Sequence, residues 1–246
     1  MTLSGRTCVF AGAAGQIGRG AVRALAEQGM NVVMVTHNPK SADAIVGEMR
    51  DMPGQVIAVS NEDTNEEIFS KIENVFGSVD VVMSSTGGLW SPCDPNKITD
   101  EMLDDKLHHQ VTETYNMVRA ALPYLKKSKA GRVIFVSSGG ALDGFDGENI
   151  VDSIARGGVI SMTYALARAL AEDGITVNCI ARSGMINDHP PKGSEDLDAA
   201  TLQSRIPVGK CGTGTEFGAM AAYIASEESA FVTGHVFNLT GGLHIG

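Results

Sequence analysis

The sequence predicts a single α/β domain, in which a doubly wound parallel sheet of about seven strands carries helices on both faces. Short runs rich in β-branched residues alternate along the chain with longer stretches in which apolar residues recur at helical spacing. The short runs are apolar throughout, which is typical of strands that are covered on both faces. No Pro- or Ser-rich linker and no internal repeat divides the 246 residues, so we expect one domain over residues 1–246.

The apolar runs predict the strands of the sheet. They are expected, in chain order, at Thr7–Ala11, Asn31–Thr36, Gln55–Ser60, Val79–Ser84, Arg132–Ser137, Thr176–Ala181 and Val236–Leu239. Because helical stretches separate the strands, right-handed crossover connections would make neighbouring strands parallel.

Apolar periodicity, together with Gly and Pro near the ends, predicts the helices between the strands. They are expected at Ile17–Gln28, Ser41–Met52, Glu66–Phe76, Thr99–Lys127, Asp152–Glu172 and Thr215–Ser226. The least regular segments, Gly87–Asn96, Gly139–Asn149 and Gly184–Asp198, each follow a strand. Open α/β sheets bind ligands at the carboxyl ends of their strands, so we expect the ligand pocket among these segments.

The composition is that of a globular protein and argues against two classes of partner. Hydrophobic residues make up 43% of the chain, charged residues 20%, and the net charge is −10. Nucleic-acid binding needs clustered Lys and Arg, and the longest cluster here is Lys126-Lys127. No apolar stretch is long enough to span a membrane, and the cysteines share no CxxC spacing. We therefore expect a cytoplasmic protein with no nucleic-acid, membrane or metal ligand.

A glycine-rich loop, Ala11-Gly12-Ala-Ala-Gly15-Gln16-Ile17-Gly18, connects the first predicted strand to the first helix. Gly12 would permit a tight turn, and Gly18 would let the helix approach the strand closely. The helix N-terminus would then offer N–H groups and a partial positive charge to a pyrophosphate. This arrangement predicts a Rossmann fold that binds a nicotinamide adenine dinucleotide. The loop residues expected to contact it are Gly12, Gln16, Ile17 and Gly18.

Further motifs follow in a distinctive order. They are Ser84-Ser85-Thr86-Gly87 after the fourth strand, Arg132–Ser138 at the fifth, Gly174–Asn178 at the sixth, then Arg205–Gly209 and Val232–Gly242. Together with the glycine loop, they make essentially the whole chain resemble the short-chain dehydrogenase/reductase family. The resemblance implies an NAD(P)-dependent oxidoreductase that acts on a secondary alcohol or ketone.

The resemblance also indicates which residues would contact the cofactor. After the second strand, an acid selects NAD by binding the ribose hydroxyls, whereas a base accommodates the additional phosphate of NADP. This chain has no acid there, and His37 lies where NADP-using relatives often carry Arg. NADP is thus slightly favoured over NAD, although His37 could also be an exposed loop residue. The other cofactor contacts that the resemblance implies are Asp63, Ser84, Arg156 and Asn187.

The catalytic positions of that family are mostly altered in this chain. The family pattern has a Ser, a Tyr, a Lys four residues after the Tyr, and an Asn on the preceding long helix. The Ser is retained as Ser138, whereas Asp152 replaces the Tyr and Arg156 replaces the Lys. Gln110 stands at the Asn position. These four residues are the candidate catalytic residues, and Arg182 further replaces a proline that usually follows the sixth strand.

Asp152 would have to remain protonated near neutral pH to act as the missing tyrosine does. Arg156 follows it at i+4, where an acid N-terminal to a base forms an ion pair. An adjacent cation stabilises the ionised carboxylate, which cannot donate a proton. We expect an Asp152–Arg156 ion pair that is structural or holds the nicotinamide ribose, and little reduction of generic ketones.

Other side chains near the expected pocket have open interpretations. His108 and His109 point about 100° apart on a helix, so at most one can face the site, and both could be exposed. Tyr115 and Tyr164 are predicted to be core or interface residues, not catalysts. Trp90 could stack on a flat substrate or cap the core.

Three functional hypotheses follow from the sequence. The retained Ser138 and the glycine loop favour an NAD(P)-dependent oxidoreductase of atypical mechanism. The changes at Gln16, Gln110, Asp152 and Arg156 favour a non-catalytic subunit that pairs with an active paralogue. A non-redox lyase or isomerase could use the same pocket. Since the resembled family assembles through two long helices, we expect a homotetramer or a heteromer with a related chain, acting on a small-molecule substrate.

Overall fold

A parallel sheet of seven strands forms the centre of the computed structural model, which describes residues 3–15, 17–86, 94–144, 147, 149–186 and 199–245. Numbered β1 to β7 in chain order, its strands are Thr7–Ala11, Asn31–Thr36, Val56–Ser60, Val81–Ser84, Arg132–Ser138, Thr176–Arg182 and Val236–Leu239. They are hydrogen-bonded in the order β3-β2-β1-β4-β5-β6-β7, and every pairing is parallel. The predicted strands are confirmed, with small shifts at some ends.

Helices cover both faces of the sheet. Within the described residues the α-helices, numbered α1 to α9, are Gly18–Glu27, Pro39–Glu48, Asn65–Phe76, Asp100–Leu107, Glu113–Leu125, Gly140–Asp143, Ile150–Leu170, Ala199–Arg205 and Gly214–Ala225. None of these described helices is long and apolar enough to cross a membrane. Helices α1, α2 and α9 share one apolar core, which includes Leu25, Ala42 and Phe217. Helices α3, α5 and α7 share a second core, which includes Phe69 and Val159, so the doubly wound architecture is confirmed.

The second helix differs from its prediction at both ends. Periodicity predicts Ser41–Met52, whereas α2 spans Pro39–Glu48. Proline fits the first turn because its fixed φ is helical and its missing N–H has no intrahelical partner there. Beyond the helix, the Gly54 N–H donates to the Ala26 carbonyl at 2.9 Å, so the chain has already turned back to the sheet. The short helices α6 and α8 contain too few residues for a periodic pattern, and the sequence predicts neither.

The long helix predicted at Thr99–Lys127 is divided. Helix α4 ends at Leu107, a π-helical turn follows at His108–Thr112, and α5 begins at Glu113. A single wide turn hardly alters the apolar periodicity, so the sequence does not reveal it. Turns of this kind are frequent at functional sites.

The register of the sheet brings distant residues together at its carboxyl edge. Ala11 at the end of β1 pairs with Ser84 at the end of β4. Ser138 at the end of β5 pairs with Arg182 at the end of β6. The strand order reverses between β1 and β4, which is where open parallel sheets bind their ligands.

Candidate functional site

A cleft of about 870 Å³ opens at the carboxyl edge of the sheet, beside the reversal of strand order. Its volume lies within the range of cofactor and small-molecule sites. The glycine loop, the ends of β2 and β4, the start of α3 and the region from α4 to α5 supply most of its described lining. Of the residues predicted to contact a cofactor, those that line it are Gly12, Ile17, Gly18, His37, Asp63 and Ser84.

The other predicted cofactor contacts either lie outside the described residues or are not part of the described lining. Gln16 and Asn187, like Trp90, lie outside the described residues. Arg156 is described, but it is buried and is not part of the described lining of the cleft. The same holds for Gln110, which is also buried. The cleft therefore joins the predicted phosphate and adenosine contacts. None of the four predicted catalytic residues is part of its described lining.

The glycine loop owes its shape to contacts that leave no room for side chains. Gly12 has a φ of +83°, and a Cβ there would lie 2.5 Å from the Ser85 carbonyl oxygen. A Cβ at Gly18 would lie 2.1 Å from the Ala13 carbonyl oxygen. The nearest contact at Gly18 is thus with the loop residue Ala13, and the predicted close approach of α1 to the strand stays a prediction. Ile17, the N-cap residue of α1, has no capping side-chain hydrogen bond, which suits a helix end that faces an anion.

The end of β2 carries an exposed imidazole. Nδ1 of His37 lies 2.7 Å from Nδ2 of Asn61. Because an amide nitrogen donates, Nδ1 is the acceptor of this hydrogen bond. Asp63, on the same wall of the cleft, forms an ion pair with Lys71 at 2.9 Å. This end of the cleft thus presents an imidazole and a carboxylate that is already paired.

Hydroxyl groups connect the end of β4 to the π-helical turn. Oγ of Ser84 lies 3.0 Å from Oγ1 of Thr114, which lies 3.1 Å from Oγ1 of Thr86. Thr86 donates to the carbonyl of His109 at 3.2 Å. Each hydroxyl has one proton, so Thr114 donates to Thr86 and Ser84 donates to Thr114. Ser84 can therefore offer a ligand in the cleft an acceptor but no donor.

Asp152, near the start of α7, is surrounded by donors and cations. Its Oδ1 accepts a hydrogen bond from Nε2 of Gln110 at 2.7 Å. The same oxygen lies 3.7 Å from Nε of Arg156 and 3.9 Å from Nζ of Lys106. The predicted Asp152–Arg156 ion pair is confirmed, and Lys106 adds a second cation that the sequence interpretation missed. Lys106 precedes Gln110 by four residues, and this spacing is the signal that could have identified it.

Arg156 is directed toward the sheet. Its Nη1 donates to the carbonyl of Val136 in β5 at 3.1 Å. Ser137 Oγ donates to the backbone carbonyl of Arg156 at 3.0 Å, so two hydrogen bonds connect α7 to β5. Burial lowers the pKa of Arg156, and the neighbouring Asp152 carboxylate acts in the opposite direction. The suggested contact with a nicotinamide ribose stays a prediction.

Ser138 and Arg182 lie side by side at the ends of β5 and β6. Ser138 Oγ accepts from the Gly140 N–H at 3.2 Å, and the Gly139 N–H donates to the Arg182 carbonyl at 3.1 Å. Arg182 lines the cleft, and its buried Nε has no hydrogen-bond partner among the described residues. Burial, followed by the charge of Arg156, lowers the pKa of Arg182 to about 10, so the guanidinium stays charged near neutral pH.

Only His109 of the two adjacent histidines lines the described cleft. Its Nδ1 lies 2.9 Å from the carbonyl oxygen of Asp105. His108 is not part of the described lining, and its Nε2 lies 3.6 Å from a carboxylate oxygen of Glu113. This agrees with the angular separation expected for neighbours on a helix. Among the described residues, no group of three or more His, Cys, Asp or Glu is arranged to hold a metal ion.

Tyr115 and Tyr164 are 44% and 49% exposed, so neither is the core residue that one of the predictions allowed. Neither belongs to the described lining of the cleft. Tyr164 instead lines a separate cavity of about 370 Å³ between α7 and the segment before β7. Because both side chains are exposed, the remaining prediction is that Tyr115 and Tyr164 are interface residues.

Comparisons with known proteins agree with this geometry. A family model described as enoyl-(acyl carrier protein) reductase matches residues 12–244. The 3-oxoacyl-[acyl-carrier-protein] reductase of Thermotoga maritima is 29% identical over 249 residues, covering 100% of both chains. The enzymes of that name from Vibrio harveyi and Escherichia coli are 29% and 26% identical, again over 100% of both chains.

A solved structure shows the same fold. A dehydrogenase/reductase from Sinorhizobium meliloti superposes with a TM-score of 0.88, covering 99% of this chain and 97% of the other. The two sequences are 24% identical, so this likeness concerns the fold alone.

Proposed function

The chain belongs to the short-chain dehydrogenase/reductase family, and on that premise we propose that it is an NAD(P)-dependent oxidoreductase interconverting a secondary alcohol and a ketone. The cleft at the reversal of strand order carries the proposal, because the glycine loop and the ends of β2 and β4 meet there. Asp152 stands where the family has its acid–base tyrosine. The proposed mechanism therefore works without a tyrosine at this position.

The glycine loop fits the phosphates of a dinucleotide. Backbone contacts at Gly12 and Gly18 exclude side chains, and the N-cap of α1 provides no side-chain acceptor that would compete with a phosphate. The exposed imidazole of His37 and the lack of an acid directly after β2 favour NADP over NAD. When bound, the nicotinamide would supply or accept the hydride.

Ser138 is the group proposed to hold the substrate oxygen. Its Oγ accepts a hydrogen bond from the Gly140 N–H, and its own proton can be donated to a carbonyl oxygen. Its position at the end of β5, next to the end of β6, supports this role. A donor directed at the oxygen on which charge develops lowers the barrier to hydride transfer.

The Asp152 cluster is proposed to position the wall of the cleft. Gln110 and Lys106 belong to the α4–π-turn region, whereas Asp152 and Arg156 belong to α7. Their contacts with one carboxylate oxygen connect the two elements. With cations and an amide donor around it, Asp152 is proposed to remain ionised and to take no part in proton transfer.

A non-catalytic subunit is the second candidate, and one observation favours it. Gln110 and Arg156 both contact Asp152, and none of the three is part of the described lining of the cleft. Such an arrangement can stabilise the fold without contributing to chemistry. On this proposal the chain would bind a dinucleotide and pair with a related, active chain.

We also propose that the protein assembles as a homotetramer or with a related chain through α5 and α7. Both helices carry large apolar side chains at the surface, namely Tyr115, Ile154 and Tyr164. Light scattering at micromolar concentration should detect an oligomer. A stable monomer would contradict the proposal.

Titration with NADP+, NADPH, NAD+ and NADH, followed by calorimetry and nicotinamide fluorescence, tests the proposed function. We expect binding of at least one reduced and oxidised pair, with NADP(H) the tighter. Turnover is then measured with simple ketones and with 3-oxoacyl thioesters, since the curated relatives are named for that reduction. Cofactor binding without turnover would favour the non-catalytic subunit, and no binding at millimolar concentration would refute both.

A further inference from the structure

Building on the proposed oxidoreductase function, we propose that Arg182 binds a carboxylate of the substrate, so that the protein acts on keto acids or hydroxy acids in preference to neutral ketones. Arg182 occupies a position at which the resembled family usually has proline, which has no charge to offer. Its guanidinium would form the anion-binding end of the substrate site. The proposal is carried by the position of Arg182, by its unpartnered Nε and by the charges around it.

The position of Arg182 favours the substrate over the phosphates of the dinucleotide. It lies at the end of β6, which is separated from β1 by β4 and β5. With strands spaced by about 4.8 Å, the end of β6 is roughly 14 Å from the end of β1, where the glycine loop begins. Ser138, the residue proposed to hold the reacting oxygen, is its direct neighbour in the sheet. A carboxylate bound by Arg182 would thus lie close to the reacting carbonyl.

Arg182 has a hydrogen-bond donor that the described residues do not use. It lines the cleft, yet its buried Nε has no hydrogen-bond partner among the residues described. Planar guanidinium groups match carboxylates with two parallel hydrogen bonds, which a lysine cannot reproduce. A carboxylate in the cleft would pair with the guanidinium of this residue.

The charges around Arg182 favour a further anion. Asp152 is the carboxylate whose charge acts on both Arg156 and Arg182. That carboxylate is already contacted by Gln110 and Lys106. Two neighbouring guanidinium groups that share one engaged carboxylate repel each other, and buried charge of one sign is costly until it is paired.

Of the three acids that line the described cleft, Asp63 pairs with Lys71, and the other two lie beside histidines. Asp105 lies 3.4 Å from Nδ1 of His109, and Glu113 lies 3.6 Å from Nε2 of His108. Their side chains are 65% and 44% exposed, so water screens both charges. Neither replaces a carboxylate at the end of β6.

Acetoacetate and methyl acetoacetate provide a matched pair of probes, because they differ in one negative charge. Calorimetry would measure the affinity of each for the protein with and without saturating NADP+. We expect the parent protein to bind acetoacetate about tenfold tighter than the ester, as a charged, desolvated hydrogen-bonded pair allows. Arg182→Leu should abolish this preference, whereas Arg182→Lys should keep part of it. Arg50→Leu, at an exposed position after α2, is the matched control and should bind as the parent does.

Two results would overturn the proposal, and a third would separate it from the proposed function. If the parent binds both probes equally or binds neither, Arg182 does not hold a carboxylate. If Arg182→Leu weakens NADP+ as much as acetoacetate, the guanidinium holds a dinucleotide phosphate instead. If no cofactor binds, the proposed function fails, while a preference for acetoacetate in the cofactor-free protein, lost in Arg182→Leu, would still support the anion site. Thermal unfolding of each variant verifies that it is folded.

Discussion

Asp152→Asn tests whether the cluster formed by Asp152, Arg156, Gln110 and Lys106 is structural or catalytic. The substitution keeps the volume of the side chain but removes the charge that pairs with Arg156 and Lys106. The side chains of Asp152 and Arg156 are only 13% and 9% exposed, so water cannot replace the lost carboxylate. Removing one partner of a buried ion pair leaves the other charge uncompensated.

The structure indicates a large loss of stability and a small loss of activity. Breaking a buried pair from one side costs about 3–5 kcal/mol in the free energy of unfolding. For a chain of this length, that corresponds to a fall in Tm of roughly 6–20 °C. Because Asp152 is proposed to remain ionised and to donate no proton, turnover in the folded variant should stay within about threefold of the parent.

Asp173→Asn is the matched control. Asp173 pairs with Lys126 at 2.9 Å, a shorter distance than in the buried pair, but the two side chains are 34% and 50% exposed. Exposed pairs contribute less than about 1 kcal/mol, so this variant should unfold almost as the parent does. The contrast separates the effect of burial from that of the substitution itself.

Urea and thermal unfolding at pH 7, followed by circular dichroism, measure the stability, and NADPH oxidation measures turnover. The double variant Asp152→Asn, Arg156→Met should regain part of the lost stability, because it removes both charges of the pair. A loss of stability no greater than that of Asp173→Asn would refute the structural argument. A several-hundred-fold loss of turnover with cofactor binding intact would make Asp152 the acid–base residue.

Three further predictions concern other parts of the molecule. His37→Asp should weaken NADP+ by about tenfold or more while sparing NAD+, because a carboxylate repels the additional phosphate; calorimetry with both cofactors checks this, and an unchanged ratio contradicts it. Gly18→Ala places a methyl group 2.1 Å from a carbonyl oxygen and should cost about 1–3 kcal/mol or more in urea unfolding, whereas an unchanged midpoint would exclude the contact. Burial raises the pKa of Cys8 and of Cys179 to about 12, so iodoacetamide at pH 8 should leave both unmodified in the folded protein; peptide mapping that finds either one alkylated before unfolding would contradict this.

The sequence by itself determined the features that depend on local rules. Strands buried on both faces are apolar throughout, so β1, β2 and β7 were placed to the residue. The glycine loop was recognisable because a strand, a tight turn and a helix follow one another within a few residues. The Asp152–Arg156 ion pair was predictable because helical geometry brings residues i and i+4 together.

Only the tertiary structure decided how the altered catalytic residues are used. Gln110 and Asp152 are 42 residues apart, and they meet because the π-helical turn packs against α7. Arg156 is directed toward β5, where the Val136 carbonyl accepts from it, and no local pattern encodes that choice. The register of β5 and β6 places Arg182 beside Ser138, and Arg182 also lines the cleft. Neither position can be derived from the local sequence around Arg182. The local sequence specifies individual helices and strands. Contacts between distant helices and strands depend on packing and on the register of the sheet. The chemistry of this site arises from those long-range contacts.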